Sequence, residues 1–463
     1  MHFLQKVVIL HLKYLQKVVN LTRIWLQKVV DMLKRKVENE IIKWYQSGRN
    51  KALLLNGARQ VGKTTSIREF AKAYYNHFVE INFVKFPLAQ KAFDGNLDTK
   101  TIVTNLSAMG FGPFVEGETL VFFDEIQECP NARTAIKFLV EEHRYDYIES
   151  GSLLGINYKP VTSYPVGYEQ ELKMYPLDFE EFLWANDVST DVIDVLRHCY
   201  EKEEPVPDFI HEQMNRFYRQ HLVVGGMPEA VKTFVETPDF SNVLNVQRSI
   251  LTTYRSDITN YAGKDQVLVK RIFDAIPSQL GKQDKRFILA SLEKGASRRK
   301  YDDPTQWLID AGIAYYSINT YDFALPFTAT ENRKLFKLYM VDTGLLANLL
   351  LKDIQFNVLN GDVGVNEGAL TENYVACSLS SKGIALHYYD KKSRQELDFI
   401  IEENNEITII EVKSGSDYKR HASLNAALEA FSSRIGRAIV FSPFNLERSN
   451  DVLYLPLYMS QFM

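Results

Sequence analysis

The chain has 463 residues, of which 46% are hydrophobic and 24% charged, a composition typical of a globular protein with two to four domains. Its 54 Lys and Arg residues against 58 Asp and Glu residues give a net charge of −4, so a basic surface for nucleic acid can only be local. Three widely spaced cysteines exclude a disulfide framework and predict a cytoplasmic protein, and no apolar run approaches the roughly 20 residues that cross a bilayer, which predicts no integral membrane association.

The first 31 residues contain a repeat with a period of eleven: the same five residues stand at 4–8, 15–19 and 26–30. Eleven residues make about three helical turns, so each copy falls on nearly the same helix face. One interpretation is a basic amphipathic helix that lies on a membrane surface or on a partner. The other, which we prefer, is a translated tandem repeat ahead of a natural start near Met32.

A short apolar run at 52–56 predicts a buried strand, and a phosphate-binding loop follows it. The next eight residues fit G-x-x-x-x-G-K-[ST] without a mismatch. In such a loop the backbone N–H groups surround the β-phosphate, Lys63 neutralises the β- and γ-phosphates, and the Thr64 hydroxyl ligates Mg²⁺. The sequence therefore predicts a nucleotide and Mg²⁺ bound by Gly57, Ala58, Arg59, Gln60, Val61, Gly62, Lys63, Thr64 and Thr65.

An apolar strand that ends in two acids is the expected second half of such a site. Residues 120–123 are apolar and lead into Asp124 and Glu125. We expect Asp124 to hold Mg²⁺ through its water shell and Glu125 to polarise the attacking water. Further strands of one parallel sheet are predicted at 77–83, 145–150 and 172–175. A polar residue after the fourth strand commonly contacts the γ-phosphate; we take Ser152 as this residue, with Ser150 as the alternative.

The chain resembles a widespread prokaryotic group of AAA-type ATPases with a C-terminal region of unassigned function. The resemblance covers residue 32 to the early 430s and is carried by the segments 57–65, 151–154, 164–167, 175–182, 225–229, 336–339 and 342–345. It implies ATP as the nucleotide and an α/β fold: an AAA-type P-loop NTPase parallel sheet, then a helical segment, a winged helix and a restriction-endonuclease-like α/β domain.

The predicted domains follow this order. They are a repetitive N-terminal extension (1–31), an ATPase core (32–186), a helical linker or lid (187–263), a winged helix (264–350) and a nuclease-like domain (351–463). A homo-oligomer is a further expectation, because AAA-type cores often form rings in which a neighbour supplies an arginine finger, although this group need not do so. The candidates for that finger are Arg59, Arg133 and Arg144.

Between residues 282 and 300 the chain carries seven basic residues against two acidic ones. This local surplus suits phosphate contacts, because a winged helix can dock one helix in a DNA groove. The part that we expect to form the third helix and the first wing strand spans 307–318. Double-stranded DNA is therefore a predicted partner, and the alternative is a solvated face or a surface that packs against protein.

Two predicted strands near the C-terminus carry a nuclease-like motif. Glu411 and Lys413 alternate onto one face of the second strand, and Asp398 on the first strand can approach them across the hairpin. This pattern resembles the PD-(D/E)xK nuclease superfamily, although Leu397 stands where that motif has proline. We expect Asp398 and Glu411 to hold a divalent metal and Lys413 to orient the bound water. Glu367 or Glu372, on a predicted helix at 366–380, is a candidate further ligand.

The sequence thus predicts an ATP-hydrolysing AAA-type protein whose C-terminal domains engage DNA in a nucleotide-dependent way. Its predicted catalytic residues are Lys63 and Glu125 in the core and Asp398, Glu411 and Lys413 in the nuclease-like domain. The alternative function is a nucleotide-switched module that binds a protein and whose nuclease-like domain is catalytically silent.

Overall fold

The structure is a computed structural model that describes residues 33–152, 165–350, 358–359, 367–391 and 395–463. The repeated segment at the N-terminus lies outside these residues, so both interpretations of it stay predictions. Within the described ranges, no helix is long and apolar enough to cross a membrane.

The first sheet has five parallel strands in the order β2-β3-β4-β1-β5. They are β1 (Ala52–Gly57), β2 (His77–Asn82), β3 (Thr119–Asp124), β4 (Asp146–Ser152) and β5 (Glu169–Met174). Every predicted strand of this sheet is present, displaced by at most a few residues. Because β4 separates β1 from β3, the loop after β1 and the acids after β3 face each other across the end of β4.

Helices cover both faces of this sheet. They are α1 (Val37–Gln46), α2 (Lys63–Tyr74), α3 (Thr99–Ala108) and α4 (Pro130–Glu141). Side chains alternate along β1, so Leu53 and Leu55 join the core on the α2 side, whereas Leu54 joins the core on the α4 side. Ile67 and Phe70 recur at helical spacing on α2 and bury that helix against the sheet, which fixes where the helix begins.

A helical segment follows the core. It consists of α5 (Phe179–Ala185), α6 (Thr190–Lys202), α7 (Asp208–Val224), α8 (Pro228–Glu236) and α9 (Phe240–Tyr261). Gly225 and Gly226 lie between α7 and α8 and separate the two helices. Next come α10 (Gln266–Leu280) and α11 (Arg298–Asp310).

The second sheet has eight strands in the order β12-β13-β11-β10-β9-β8-β6-β7. The strands are β6 (Ala314–Thr320), β7 (Glu331–Met340), β8 (Leu386–Asp390), β9 (Glu396–Glu403), β10 (Glu406–Val412), β11 (Ile435–Ser442), β12 (Glu447–Ser449) and β13 (Val452–Pro456). The helices α12 (Thr343–Leu350), α13 (Glu367–Ser380) and α14 (Ala422–Phe431) accompany it. Since β6 pairs in parallel with β8, the hairpin β6–β7 and the C-terminal strands share one sheet across the predicted boundary at residue 350.

The region predicted as a winged helix has two α-helices, α10 and α11, ahead of the hairpin β6–β7. Between α10 and α11 the structure has only a single 3₁₀ turn, Leu289–Ser291. The N–H of Phe287 donates to the carbonyl of Phe336 on β7 at 2.7 Å, and the two rings stack at 5.6 Å between centroids. This strand-like contact holds the backbone extended between α10 and α11, and the identity of the region as a winged helix stays a prediction.

Candidate functional site

The phosphate-binding loop ends at Gly62, which has a left-handed backbone with φ of +101° that favours glycine. Helix α2 begins at the next residue, so its free N–H groups and dipole face the loop. The Lys63 Nζ atom donates to the carbonyl oxygens of Gly57 at 3.1 Å and Ala58 at 2.9 Å. Burial lowers the pKa of Lys63 to about 8, although Glu125 and Asp124 oppose this change. The lysine therefore lies over the loop in a place where an anion would stabilise its charge.

Asp124, the last residue of β3, contacts side chains from the neighbouring strands β2 and β4 and from the first turn of α2. Its Oδ1 atom accepts from the Thr64 hydroxyl at 3.2 Å and from the Ser150 hydroxyl, and its Oδ2 atom accepts from Asn82 Nδ2 at 2.7 Å. The carboxylate is buried. The predicted pair of Thr64 and Asp124 is therefore brought together. Of the two serines considered, Ser150 contacts Asp124, whereas Ser152 pairs in register with Gly57 at the start of the loop.

The loop is also tied to helix α9. Arg59 Nη1 donates to Asp257 Oδ1 at 2.6 Å, and its guanidinium lies 5.7 Å from the ring centre of Tyr261. The Tyr254 hydroxyl donates to the Arg59 carbonyl at 3.3 Å. Burial raises the pKa of Asp257, the charge of Arg59 opposes this, and the nearby Glu125 adds to the rise. Arg59, Asp257 and Glu125 thus form one electrostatic group beside the loop.

The other two arginine-finger candidates lie elsewhere. Arg133 is buried and donates to Glu169 Oε2 at 3.2 Å, and Glu169 pairs with Ala52 at the end of β1 away from the loop. Arg144 pairs with Glu116 just before β4. Of the three, Arg59 alone belongs to the loop within one copy of the chain.

A cavity of about 290 Å³ lies beside the loop and was not predicted from the sequence. Arg35 holds one side of it in place, donating to the carbonyl oxygens of Val61 at 2.8 Å and Tyr175 at 2.7 Å and pairing with Glu181 at 3.2 Å. The lining residues come from the segment before β1, the loop and α8: Leu33, Arg35, Glu38, Gly62, Thr65, Ser66, Pro228, Glu229 and Lys232. The segment 225–229, which is part of the family resemblance, includes the start of α8. Spacing along the chain could not show that this helix lies against the loop.

The predicted nuclease-like residues converge at the second sheet. Asn404 and Asn405 both have positive φ and form a two-residue turn between β9 and β10, which sets the register of the hairpin. Asp398 Oδ2 accepts from the N–H of Val412 at 2.8 Å, and Lys413 Nζ donates to Glu411 Oε2 at 2.9 Å. Burial and the neighbouring Asp398 raise the pKa of Glu411 to about 7.

A lysine that is not among the predicted site residues lies between these carboxylates. Lys337 on β7 is fully buried, and its Nζ lies 2.8 Å from Glu396 Oε1, 3.1 Å from Glu372 Oε1 and 4.0 Å from Asp398 Oδ1. Lys285 and the Tyr339 hydroxyl also contact Glu372. Burial alone would raise the pKa of Glu372, but the charges of Lys285 and Lys337 lower it to about 2.

The two sites differ in how well they fit a divalent ion. At the loop, the Thr64 hydroxyl and the Asp124 carboxylate are adjacent, as a Mg²⁺ held by one hydroxyl, water and phosphate oxygens requires. At the second sheet, lysines contact the carboxylates, and the described residues contain no group of three Asp, Glu, His or Cys side chains suited to a metal. The metal predicted at Asp398 and Glu411, with Glu367 or Glu372 as a further ligand, therefore does not fit this arrangement.

Most of the basic segment predicted to contact DNA is paired within the protein. Five of its seven basic residues have partners: Lys282 with Gln279, Lys285 with Glu372, Arg286 with Asp284, Arg298 with Asp302 and Lys300 with Glu293. The other two, Lys294 and Arg299, are exposed. The charge available for phosphate contacts is thus smaller than the sequence suggests.

Comparison with known families divides the chain into three parts. Residues 49–183 match a family described as an AAA domain, and residues 215–355 and 367–458 match two domains of unknown function, DUF8612 and DUF4143. No curated protein sequence matches the chain. The AAA-domain match, together with the order of the parallel sheet, identifies the first part as an AAA-type P-loop domain.

Solved structures with some similarity include three proteins. ORC1 of Aeropyrum pernix, solved in complex with DNA, is 11% identical over 71% of this chain and 94% of its own, with a TM-score of 0.28. The RuvB Holliday junction branch migration motor of Thermotoga maritima is 14% identical over 61% of this chain and 89% of its own, with a TM-score of 0.29. PCH-2 of C. elegans is 13% identical over 46% of this chain and 68% of its own, with a TM-score of 0.28.

Proposed function

We propose that the AAA-type domain binds ATP with Mg²⁺ and hydrolyses it. The observation that carries this proposal is the contact between the Thr64 hydroxyl and Asp124 at 3.2 Å beside the partly buried Lys63. Thr64 and Asp124 would hold Mg²⁺, which supplies charge neutralisation at the phosphates when it is bound. Lys63 attracts the β- and γ-phosphates, and Glu125 accepts a proton from the attacking water.

The cavity between the loop and α8 is our proposed site for the base and ribose. It adjoins Gly62 and the first turn of α2, so a nucleotide whose phosphates lie on the loop extends directly into it. Leu33 and Pro228 offer apolar surface for a planar base, whereas Glu229 and Lys232 offer polar contacts. Because α8 forms one wall, bound nucleotide would contact the helical segment as well as the core.

Phosphate release measured with wild type and Lys63→Ala tests hydrolysis. We expect Lys63→Ala to lose at least about 100-fold of the turnover, because a preorganised charge at the phosphates is removed. Lys72→Ala is the matched control, since Lys72 lies on the same helix with an exposed side chain paired to Glu69. Equal turnover by Lys63→Ala and wild type would refute the proposal.

We further propose that the C-terminal half engages double-stranded DNA and that nucleotide state alters this interaction. The surface would be formed by the start of α11 and the hairpin β6–β7. Arg298 on α11, which pairs with Asp302, and Arg333 on β7, which pairs with Glu331, both lie near Tyr316 on β6, so the helix and the hairpin place basic groups close together. Lys294, Arg299 and Lys334 are exposed on the same elements or next to them.

The salt dependence of binding to a short duplex tests this second proposal. Phosphate contacts release counterions, so affinity should fall with salt, and Lys294→Ala/Arg299→Ala should lower the log–log slope by about 2. Arg420→Ala, an exposed arginine outside this surface, is the control. Wild-type protein that binds no duplex, with or without an ATP analogue, would contradict the proposal and favour a protein partner.

A further inference from the structure

The carboxylate cluster of the second sheet carries its own counter-charges. Four acidic side chains, Glu372, Glu396, Asp398 and Glu411, lie together with three lysines, Lys285, Lys337 and Lys413. Glu372 and Glu411 are buried, whereas Asp398 and Glu396 are partly exposed. Buried carboxylates are costly unless positive charge and hydrogen bonds accompany them. Here the lysines supply that charge without any ligand.

Lys337 occupies the centre of this arrangement. It lies on the edge strand β7, yet its side chain has no exposed surface. Its ammonium group contacts Glu372 on α13 and Glu396 on β9. Its ring contact with Tyr388, at 5.1 Å from the ring centre, closes another side. A buried ammonium without acidic partners would lose its proton or disrupt the core, so the position of Lys337 depends on Glu372 and Glu396.

We propose that the Lys337 ammonium takes the place of a divalent metal in this cluster, and that the C-terminal domain consequently binds no divalent ion there. A divalent ion shared by Asp398 and Glu372 would need ligand oxygens at about 2.0–2.6 Å, within the space next to the Lys337 Nζ. Two like charges would then be buried side by side, and the displaced ammonium would have lost its partners. This cluster is therefore not a site of metal-assisted phosphodiester cleavage.

Mn²⁺ titration of the nucleotide-free full chain, followed by electron paramagnetic resonance, tests this proposal. The variants are Asp398→Asn, Lys337→Gln and Lys337→Gln/Asp398→Asn, with Lys334→Gln as a control because Lys334 is an exposed lysine on the same strand. We expect wild type, Asp398→Asn and Lys334→Gln to bind equal numbers of ions. Lys337→Gln should gain one ion, and the double variant should lose it again.

Two results would overturn the proposal. The first is a wild-type ion that disappears in Asp398→Asn, and the second is a folded Lys337→Gln protein that gains no ion. If Lys337→Gln does not fold, the number of Mn²⁺ ions bound by wild type and by Asp398→Asn still tests the proposal, because both proteins retain Lys337. The measurement uses neither ATP nor DNA, so its outcome is independent of the proposed functions.

Discussion

The Asp342 carboxylate accepts a hydrogen bond from the N–H of Gly226 at 2.5 Å and another from the N–H of Leu345 at 2.9 Å. Gly226 lies two residues before α8, which lines the cavity beside the phosphate loop. Asp342 follows β7, which carries Lys337. One carboxylate therefore joins the proposed nucleotide pocket to the second sheet. The contact brings the segments 225–229 and 342–345 together in space.

We predict that Gly225→Ala destabilises the protein by about 3 kcal/mol or more. Gly225 has φ of +74°, and a Cβ atom there would lie 2.3 Å from Asp342 Oδ1 and 2.6 Å from Oδ2. Both the backbone strain and the displaced carboxylate contribute. Urea unfolding measures the change in the free energy of unfolding.

Gly263→Ala is the matched control for that variant. Gly263 also has positive φ, at +53°, but nothing lies within 4 Å of its would-be Cβ. Its expected cost is about 1–2 kcal/mol from backbone strain alone. Equal losses in the two variants would show that the Asp342 contact contributes nothing.

Glu125→Gln should separate ATP binding from hydrolysis. Glutamine keeps the shape of the side chain but cannot accept a proton, so we expect turnover to fall by at least about 100-fold. ATP affinity should remain within a few-fold of wild type, because Lys63 and Thr64 are unchanged. Phosphate release and equilibrium ATP binding measure the two quantities.

Glu118→Gln, just before the same strand β3, is the control for Glu125→Gln. Its side chain is 51% exposed and contacts Asn76 and His77 at the far end of the strand. We expect both quantities to stay at their wild-type values. Retained turnover in Glu125→Gln would remove Glu125 from the proposed mechanism.

His221 should make the stability of the protein depend on pH. Burial lowers the pKa of this histidine from 6.5 to about 4, and its Nε2 atom lies 3.4 Å from the Leu177 carbonyl between the rings of Phe182 and Tyr374. Between pH 6.5 and 4 the unfolded chain binds the proton that the folded chain excludes. The free energy of unfolding should therefore fall as pH decreases, by about 3 kcal/mol at pH 4 from this residue.

Urea unfolding of wild type and His221→Gln across this pH range isolates the contribution of His221. Other groups titrate in both proteins, so the difference between the two curves reports this side chain. We expect the curve of His221→Gln to be flatter by about 3 kcal/mol between pH 6.5 and pH 4. Parallel curves would show that His221 accepts a proton without cost in the folded state.

The sequence predicts local features of the core well, because they depend on residues that are close along the chain. The strand–loop–helix around Lys63 and the acids that end β3 follow from apolar runs and loop chemistry, and both are present. The hairpin that brings Asp398 beside Glu411 likewise follows from alternation and a short turn. What alternation cannot show is which distant strand lies next to them.

The features that were missed depend on contacts across long stretches of chain. Lys337 lies within the motif at 336–339, where a lysine between apolar residues of a buried strand signals a buried charge, but its partners Glu372 and Glu396 come from other elements. For the same reason the sequence overestimates the positive charge that the segment 282–300 leaves free, because Lys285 pairs with the buried Glu372. Local charge could not reveal that pairing.

Equilibrium binding of ATP in the presence of Mg²⁺, measured by calorimetry, tests the central claim most directly. We predict that the wild type and Lys72→Ala bind one ATP per chain with equal affinity, and that Lys63→Ala binds at least about tenfold more weakly because a phosphate-facing charge is lost. Wild-type protein that takes up no ATP, or Lys63→Ala protein that binds it as tightly as wild type, would contradict the account.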